Sequence, residues 1–146
     1  SDITIAAWVK IGSGTSGYIV NKGYDGVVPY SLSVGGGIEG MAFYDAGWFQ
    51  SSVTTDIRGD NQWHYVAGTF DGTTLSYYID AVLNASSSAA SGLTLPSGTL
   101  TADIGAYKND SAYITGSIAA VHIYNRAISG AELLSNFNSA KARFGL

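Results

Sequence analysis

Residues 63–80 read Trp63-His64-Tyr65-Val66-Ala67-Gly68-Thr69-Phe70-Asp71-Gly72-Thr73-Thr74-Leu75-Ser76-Tyr77-Tyr78-Ile79-Asp80. An aromatic-rich run, Trp63 to Phe70, and a second run, Leu75 to Ile79, flank Asp71-Gly72, a dipeptide suited to a tight β-hairpin because both residues tolerate turn geometry. The two runs are expected to pair directly.

Outward from this hairpin the same punctuation repeats. Ile3, Ile5, Ala7, Val9 and Ile11 alternate with Thr4, Ala6, Trp8 and Lys10 in the two-residue period of a strand. Further strand-like runs cover Tyr18 to Asn21, Tyr30 to Val34, Met41 to Tyr44, Phe49 to Thr54, Thr101 to Ala106 and Ile118 to Tyr124. Gly23, Asp25-Gly26, Gly35-Gly36-Gly37, Asp45-Ala46-Gly47 and Gly59-Asp60-Asn61 separate them. Short strands about 8–12 residues apart, with no helical pattern between them, predict an all-β sandwich or barrel. Asn84 to Gly92, mostly Ser and Ala, reads as an exposed flexible connection with little apolar surface to bury.

The chain of 146 residues suits one domain over 1–146. With 46% hydrophobic and 12% charged residues it is no disordered polyelectrolyte, and nineteen Gly and ten Tyr suit turns and strands. A net charge of −4 lacks the basic footprint of a nucleic-acid or anionic-membrane partner. The absence of Cys excludes disulfides and zinc-thiolate sites. No apolar run reaches the ~18 residues of a membrane span, so membrane insertion is not expected. The chain begins at Ser1 rather than Met, which reads as a mature or excised piece of a longer surface protein.

One helix is predicted near the C-terminus. Ser129-Gly130-Ala131-Glu132 has the S-x-x-E form of a capping box, and Ile128 with Leu133 forms a hydrophobic staple. Leu133, Leu134, Phe137 and Ala140 are expected to pack on the sandwich as one stripe.

Several motifs carry a family resemblance: Ile5-Ala6-Ala7-Trp8-Val9-Lys10, the Trp63 to Gly72 run, Tyr78-Ile79-Asp80, and Gly116 through Ser129 with Glu132. Together they resemble a laminin-G-like domain of the concanavalin A-like lectin/glucanase superfamily. The resemblance implies a two-sheet antiparallel jelly-roll sandwich with the Ile3 strand beside the Ile118 strand. The tail Asn136 to Gly145 resembles the ends of such domains in phage and marine microbial surface proteins.

Catalytic relatives in that superfamily use paired carboxylates, one to protonate the leaving oxygen and one to attack or activate water. The only glutamates are Glu39, beside a triple-Gly turn, and Glu132, in the capping box. Asp45, Asp56 and Asp60 neighbour turn residues, so no glycosidase or lyase motif emerges and the chain is read as no enzyme. His64 and His122 sit inside strands as core or sheet-face residues, with neither a nucleophile elbow nor a zinc spacing. Trp8 and Trp63 are read as core.

The expected function is a non-catalytic recognition module, extracellular or on a cell or virion surface, binding a glycan or glycoprotein through rim or concave-face loops. Glycan binding needs an aromatic face with polar groups beside it. Tyr24 with Asp25, Trp48 with Gln50, and Tyr107 with Lys108, Asn109, Asp110 and Tyr113 supply both. The resemblance also implies rim Ca²⁺, for which Asp25, Asp71, Asp103, Asn109 and Asp110 offer the oxygens that ion prefers. A structural or protein-adhesion domain of a larger surface or phage protein is the alternative. Asn84-Ala85-Ser86 and Asn109-Asp110-Ser111 match the N-glycosylation pattern.

Overall fold

The computed structural model describes residues 2–14, 16–24, 26–35, 40–97, 99–107 and 113–146. In chain order these form β1 (Ile3–Ile11), β2 (Gly17–Tyr24), β3 (Val27–Val34), β4 (Met41–Asp45), β5 (Trp48–Gln50), β6 (His64–Phe70), β7 (Leu75–Ile79), β8 (Val82–Ser87), β9 (Ala102–Ile104), β10 (Gly116–Tyr124) and helix α1 (Gly130–Ala140), followed by a 3-10 turn at Lys141–Phe144. The strands make two five-stranded sheets, ordered β10-β1-β6-β7-β8 and β5-β4-β3-β2-β9. Every pairing is antiparallel, as the jelly-roll expectation requires. The Asp71-Gly72 hairpin pairs Phe70 with Leu75 and Val66 with Ile79.

The alternation in β1 works on both faces. Ile3, Ile5, Ala7, Val9 and Ile11 enter the core between the sheets, where they meet Ile19, Leu32, Val34, Met41 and Phe43 of the second sheet. The opposite row is buried too, because Ala6 and Trp8 lie under the C-terminal helix with Tyr65, Ala67, Ile128 and Leu133. Trp8 stacks on Phe137 at 5.6 Å and on Phe144 at 4.2 Å between ring centroids. A fully buried aromatic removes about 150–250 Å² from water, a gross gain of about 4–6 kcal/mol at ~25 cal/mol per Å². This stack therefore fastens the C-terminal segment to the first sheet.

Local chemistry sets the helix in place. The Glu132 amide donates to the Ser129 hydroxyl at 3.2 Å, and the Ser129 amide donates to the Glu132 carboxylate at 2.9 Å, so the capping box is complete. Arg126 donates to the same carboxylate at 2.7 Å and, with the Ser129 amide, holds its pKa down to about 2. One step upstream, the Thr4 hydroxyl donates to the Arg126 carbonyl at 2.8 Å and accepts from the Ile128 amide at 2.9 Å. The entry to the helix is thus tied to the first rung of β1.

Four expectations change. Asn84 to Gly92 is not a flexible connection throughout: residues 84–87 belong to β8, whose backbone pairs with β7, and Ala90 is fully buried. The run from Phe49 shortens to β5, after which the chain leaves the sheet and Thr54 and Thr55 bond to Asn84. Leu134 lies 49% exposed, because the buried stripe follows Leu133, Phe137 and Ala140, and Leu134 stands one residue, about 100°, off it. Trp63 is half-buried beside Phe144 at 4.9 Å rather than fully in the core.

Candidate functional site on the second sheet

The first sheet is covered on both faces. The second is covered on one face by the core, and its outward face carries no such apolar cluster among the described residues. Register builds that outward face row by row, because directly paired residues in a sheet share a face. One row runs across all five strands: Asp103 pairs with Asn21, Asn21 with Ser31, Ser31 with Ala42, and Ala42 with Gln50. Neighbouring rows pair Ser33 with Tyr18 and Tyr44 with both Val28 and Trp48.

The floor of this face is small and polar, and it lies deep. Asn21 and Ser31 are 0% exposed and Ser33 3%, although their side chains point away from the core. Residues that point outward yet escape solvent are screened by what lies over or beside them on this face. Aromatic pairs stand on either side: Trp48, 44% exposed, meets Tyr44 edge-on at 5.4 Å, while Tyr107 meets Tyr18 at 5.1 Å.

Among the described residues, three buried side-chain atoms have no hydrogen-bond partner: Asn21 Oδ1, Ser33 Oγ and Asp103 Oδ2. All three belong to this face. The Asn21 amide nitrogen donates to the Gly23 carbonyl at 2.7 Å, which fixes the side chain and leaves its oxygen over. An unsatisfied buried polar group costs about 1–3 kcal/mol, so three on one surface concentrate a local instability there.

The face gathers four of the expected residues: Trp48, Gln50, Tyr107 and Asp103. Tyr24 sits at the far end of β2, paired with Val27, and Tyr113 is exposed ahead of β10. Asp25, Lys108, Asn109 and Asp110 lie outside the described residues. Asp71 is on the first sheet's hairpin, where its Oδ1 accepts from the Thr73 hydroxyl and the amides of Thr73 and Thr74. The Thr73 hydroxyl contributes most to holding its carboxyl below the usual range. Asp71 and Asp103 thus lie in different sheets, and among the described residues no group of three or more carboxylate or histidine side chains is arranged to hold a metal ion. Asn21, Ser31 and Ser33 were not anticipated. Their signal was Ser31 and Ser33 alternating with Leu32 and Val34, which marks an outward polar row.

Several other charged groups among the described residues are engaged elsewhere. Asp56 accepts from Arg58 at 2.7 Å, and that hydrogen bond lowers its pKa to about 2. His64, on the first sheet, is held between two carboxylates, Nδ1 on Asp80 Oδ2 and Nε2 on Asp60 Oδ2, each at 2.8 Å. The Asp80 bond, against the opposing effect of burial and with help from Asp60, raises its pKa to about 9. His122 is exposed beside Tyr124. The second glycosylation motif lies outside the described residues, and the Asn84 amide is already bonded to Thr54 and Thr55 at 2.9 and 2.7 Å.

A laminin-G-type family model, described as the concanavalin A-like lectin/glucanases superfamily, matches residues 1–134. The chain belongs to that superfamily. Solved structures with the superfamily's sandwich align with most of it. Domain 4 of an extracellular arabinanase from Geobacillus stearothermophilus, in complex with arabinotriose, superposes with a TM-score of 0.71 at 18% identity, over 92% of this chain and 65% of that one. A heptameric SAP-like pentraxin from Limulus polyphemus gives 0.65 at 16% identity, over 91% and 68%. A chain of botulinum neurotoxin type C, whose cell entry depends on interaction with two ganglioside molecules, gives 0.65 at 18%, over 94% and 35%. At these identities the likeness shows the superfamily fold alone, and this chain spans only part of each. No curated protein sequence matches the chain. No helix among the described residues is long and apolar enough to cross a membrane.

Proposed function

We propose that this domain is a non-catalytic recognition module that binds carbohydrate on the outward face of its second sheet, as part of an extracellular, cell-surface or virion-surface protein. The observation that carries the reading is the coincidence, among the described residues, of the three orphaned polar atoms with the outward face of the second sheet, between two aromatic pairs. A sugar ring offers what that surface lacks: hydroxyls for the polar floor and an apolar ring face for Trp48 and Tyr107. The arabinotriose bound to the arabinanase domain and the ganglioside interaction of the neurotoxin support glycans as the ligand class. The non-catalytic reading is supported by the engagement of Glu132, Asp56 and Asp60 with Arg126, Arg58 and His64.

The test is a glycan array followed by calorimetry on Trp48→Ala. Trp48 is exposed, so its loss leaves the melting temperature within about 1 °C while affinity for an array hit falls roughly 5- to 150-fold, given the ~1–3 kcal/mol typical of a stacked ring. A chain that binds no glycan on the array is instead a structural or protein-adhesion domain.

A further inference from the structure

We propose that the cleft between the two sheets, beside Lys22 and Tyr30, is a second binding site, for a planar aromatic acid carrying a single carboxylate. The cleft has a volume of about 460 Å³ and opens where the start of β1 and the end of β10 face β2 and β3. Pro29, Tyr30, Leu95, Pro96 and Tyr124 give it apolar and largely flat walls, and Lys22 is the cation among its described lining residues. Clefts of about 300–1,000 Å³ with apolar walls and a few polar groups are the usual form of a small-molecule site. Lys22 and Tyr30 alternate with Asn21 and Ser31 and so point to the core side, away from the outward face. The proposal therefore stands apart from glycan binding.

Lys22 is out of place as a packing residue. It follows Val20 on the core side of β2, where Val20 and its partner Leu32 are buried. A lysine turned toward a core is ordinarily paired with a carboxylate. Among the described residues this ammonium has no ion pair, only the Tyr30 ring, 5.8 Å away at its centroid. The Tyr30 hydroxyl likewise has no hydrogen-bond partner among the described residues. Burial raises its pKa above the ordinary 10.0, so it stays protonated and able to donate. Asp2 also borders the cleft, but it is already engaged, and its Oδ1 is directed toward the Asp71-Gly72 turn, 3.9 Å from where a Cβ on Gly72 would stand.

These groups set the chemistry of the ligand. A carboxylate offers two acceptor oxygens, one for the Lys22 ammonium and one for the Tyr30 hydroxyl, and its single charge matches the single cation. A dianion would bring one charge more than Lys22 balances. The two prolines and two tyrosines favour a planar ring over a flexible chain, because rigid flat faces stack on a ring and a rigid ligand loses little freedom on binding. A neutral molecule of the same shape would make the apolar contacts and leave the ammonium without a counter-charge.

Calorimetry on the intact chain with naphthalene-2-carboxylate and its neutral counterpart 2-naphthamide isolates the charge. The acid is expected to bind about tenfold more tightly, the scale of a hydrogen bond to a charged group, and high salt to narrow that gap. Lys22→Met keeps the apolar stem and removes the ammonium. It is expected to bring acid and amide close to parity with the melting temperature unchanged, since no ion pair is lost. Lys22→Gln should act alike, and Tyr30→Phe should weaken the acid severalfold. An amide that binds as tightly as the acid overturns the proposal, as does a gap that both Lys22 variants leave in place, or no binding of the acid at millimolar concentration. Each of these outcomes leaves glycan recognition on the outward face standing.

Discussion

His64 has a carboxylate on each ring nitrogen, and that arrangement ties three segments together: Asp60 four residues earlier, β6 itself, and Asp80 at the end of the hairpin's second strand. Asp80 also accepts from the Tyr65 amide at 2.9 Å, so the same carboxylate holds backbone and ring. The folded pKa, about 9, is raised above the ordinary 6.5. The cluster therefore stabilises the fold fully below about pH 6.5 and loses that contribution as pH climbs through 9. Melting curves from pH 6 to 9.5 should show a falling midpoint for the natural chain and a flatter profile for His64→Gln. That variant should cost about 1–3 kcal/mol at pH 6, the range for charge-assisted hydrogen bonds. Parallel profiles would remove the cluster from the account of stability. At the acid end the sign reverses. Asp56 and Glu132, both held down to about 2, contribute above their ordinary pKa values and lose that contribution as pH falls toward 2.

Among the elements, the C-terminal helix and the 3-10 turn pack on the outward side of the first sheet, over Trp8. Phe144→Ala removes the ring stacked on Trp8 and should lower stability by about 2 kcal/mol and shift the tryptophan emission to longer wavelength. An unchanged emission spectrum would show that the stack does not persist in solution. This helix was legible in the sequence because its start is written in local chemistry, Ser129 with Glu132. The hairpin at Asp71-Gly72 was legible for the same reason. β8 was not, since its Ser- and Ala-rich run has no apolar alternation and is held through backbone pairing with β7. The site was half legible. Trp48, Gln50, Tyr107 and Asp103 advertise themselves by residue type, whereas Asn21 and Ser33 acquire meaning only once register sets them in rows. The partners of His64 escaped for a similar reason, because Asp80 reaches it across the hairpin rather than along the chain.

Across the whole molecule, the spacing of the two sheets depends on one residue without a side chain. A Cβ on Gly68 of β6 would stand 2.7 Å from the Met41 Cβ and 3.0 Å from the Leu32 Cδ1 of the facing sheet. Gly68→Ala must push the layers apart or displace Met41, and should cost about 1–3 kcal/mol, the range for overpacked cores. Chemical denaturation would show it as a lower midpoint with an unchanged slope. A midpoint that does not move would mean that the core yields there at little cost. The open face hangs on the same spacing, since Leu32 lies between Ser31 and Ser33 of its floor. The outward polar row and the core packing are therefore coupled through β3.

The pairing of β1 with β10 also has a mechanical side. Thr4 stands opposite Tyr124 and Ile11 opposite Gly116, so the beginning of one strand lies against the end of the other. A pull between residue 2 and residue 128 loads that ladder at one end, where rungs part in sequence like a zipper, and not in shear, where they would resist together. The first catch is the Thr4 hydroxyl, bridging the Arg126 carbonyl and the Ile128 amide. A domain loaded in this way would thus yield early at its own seam, with one threonine as the latch.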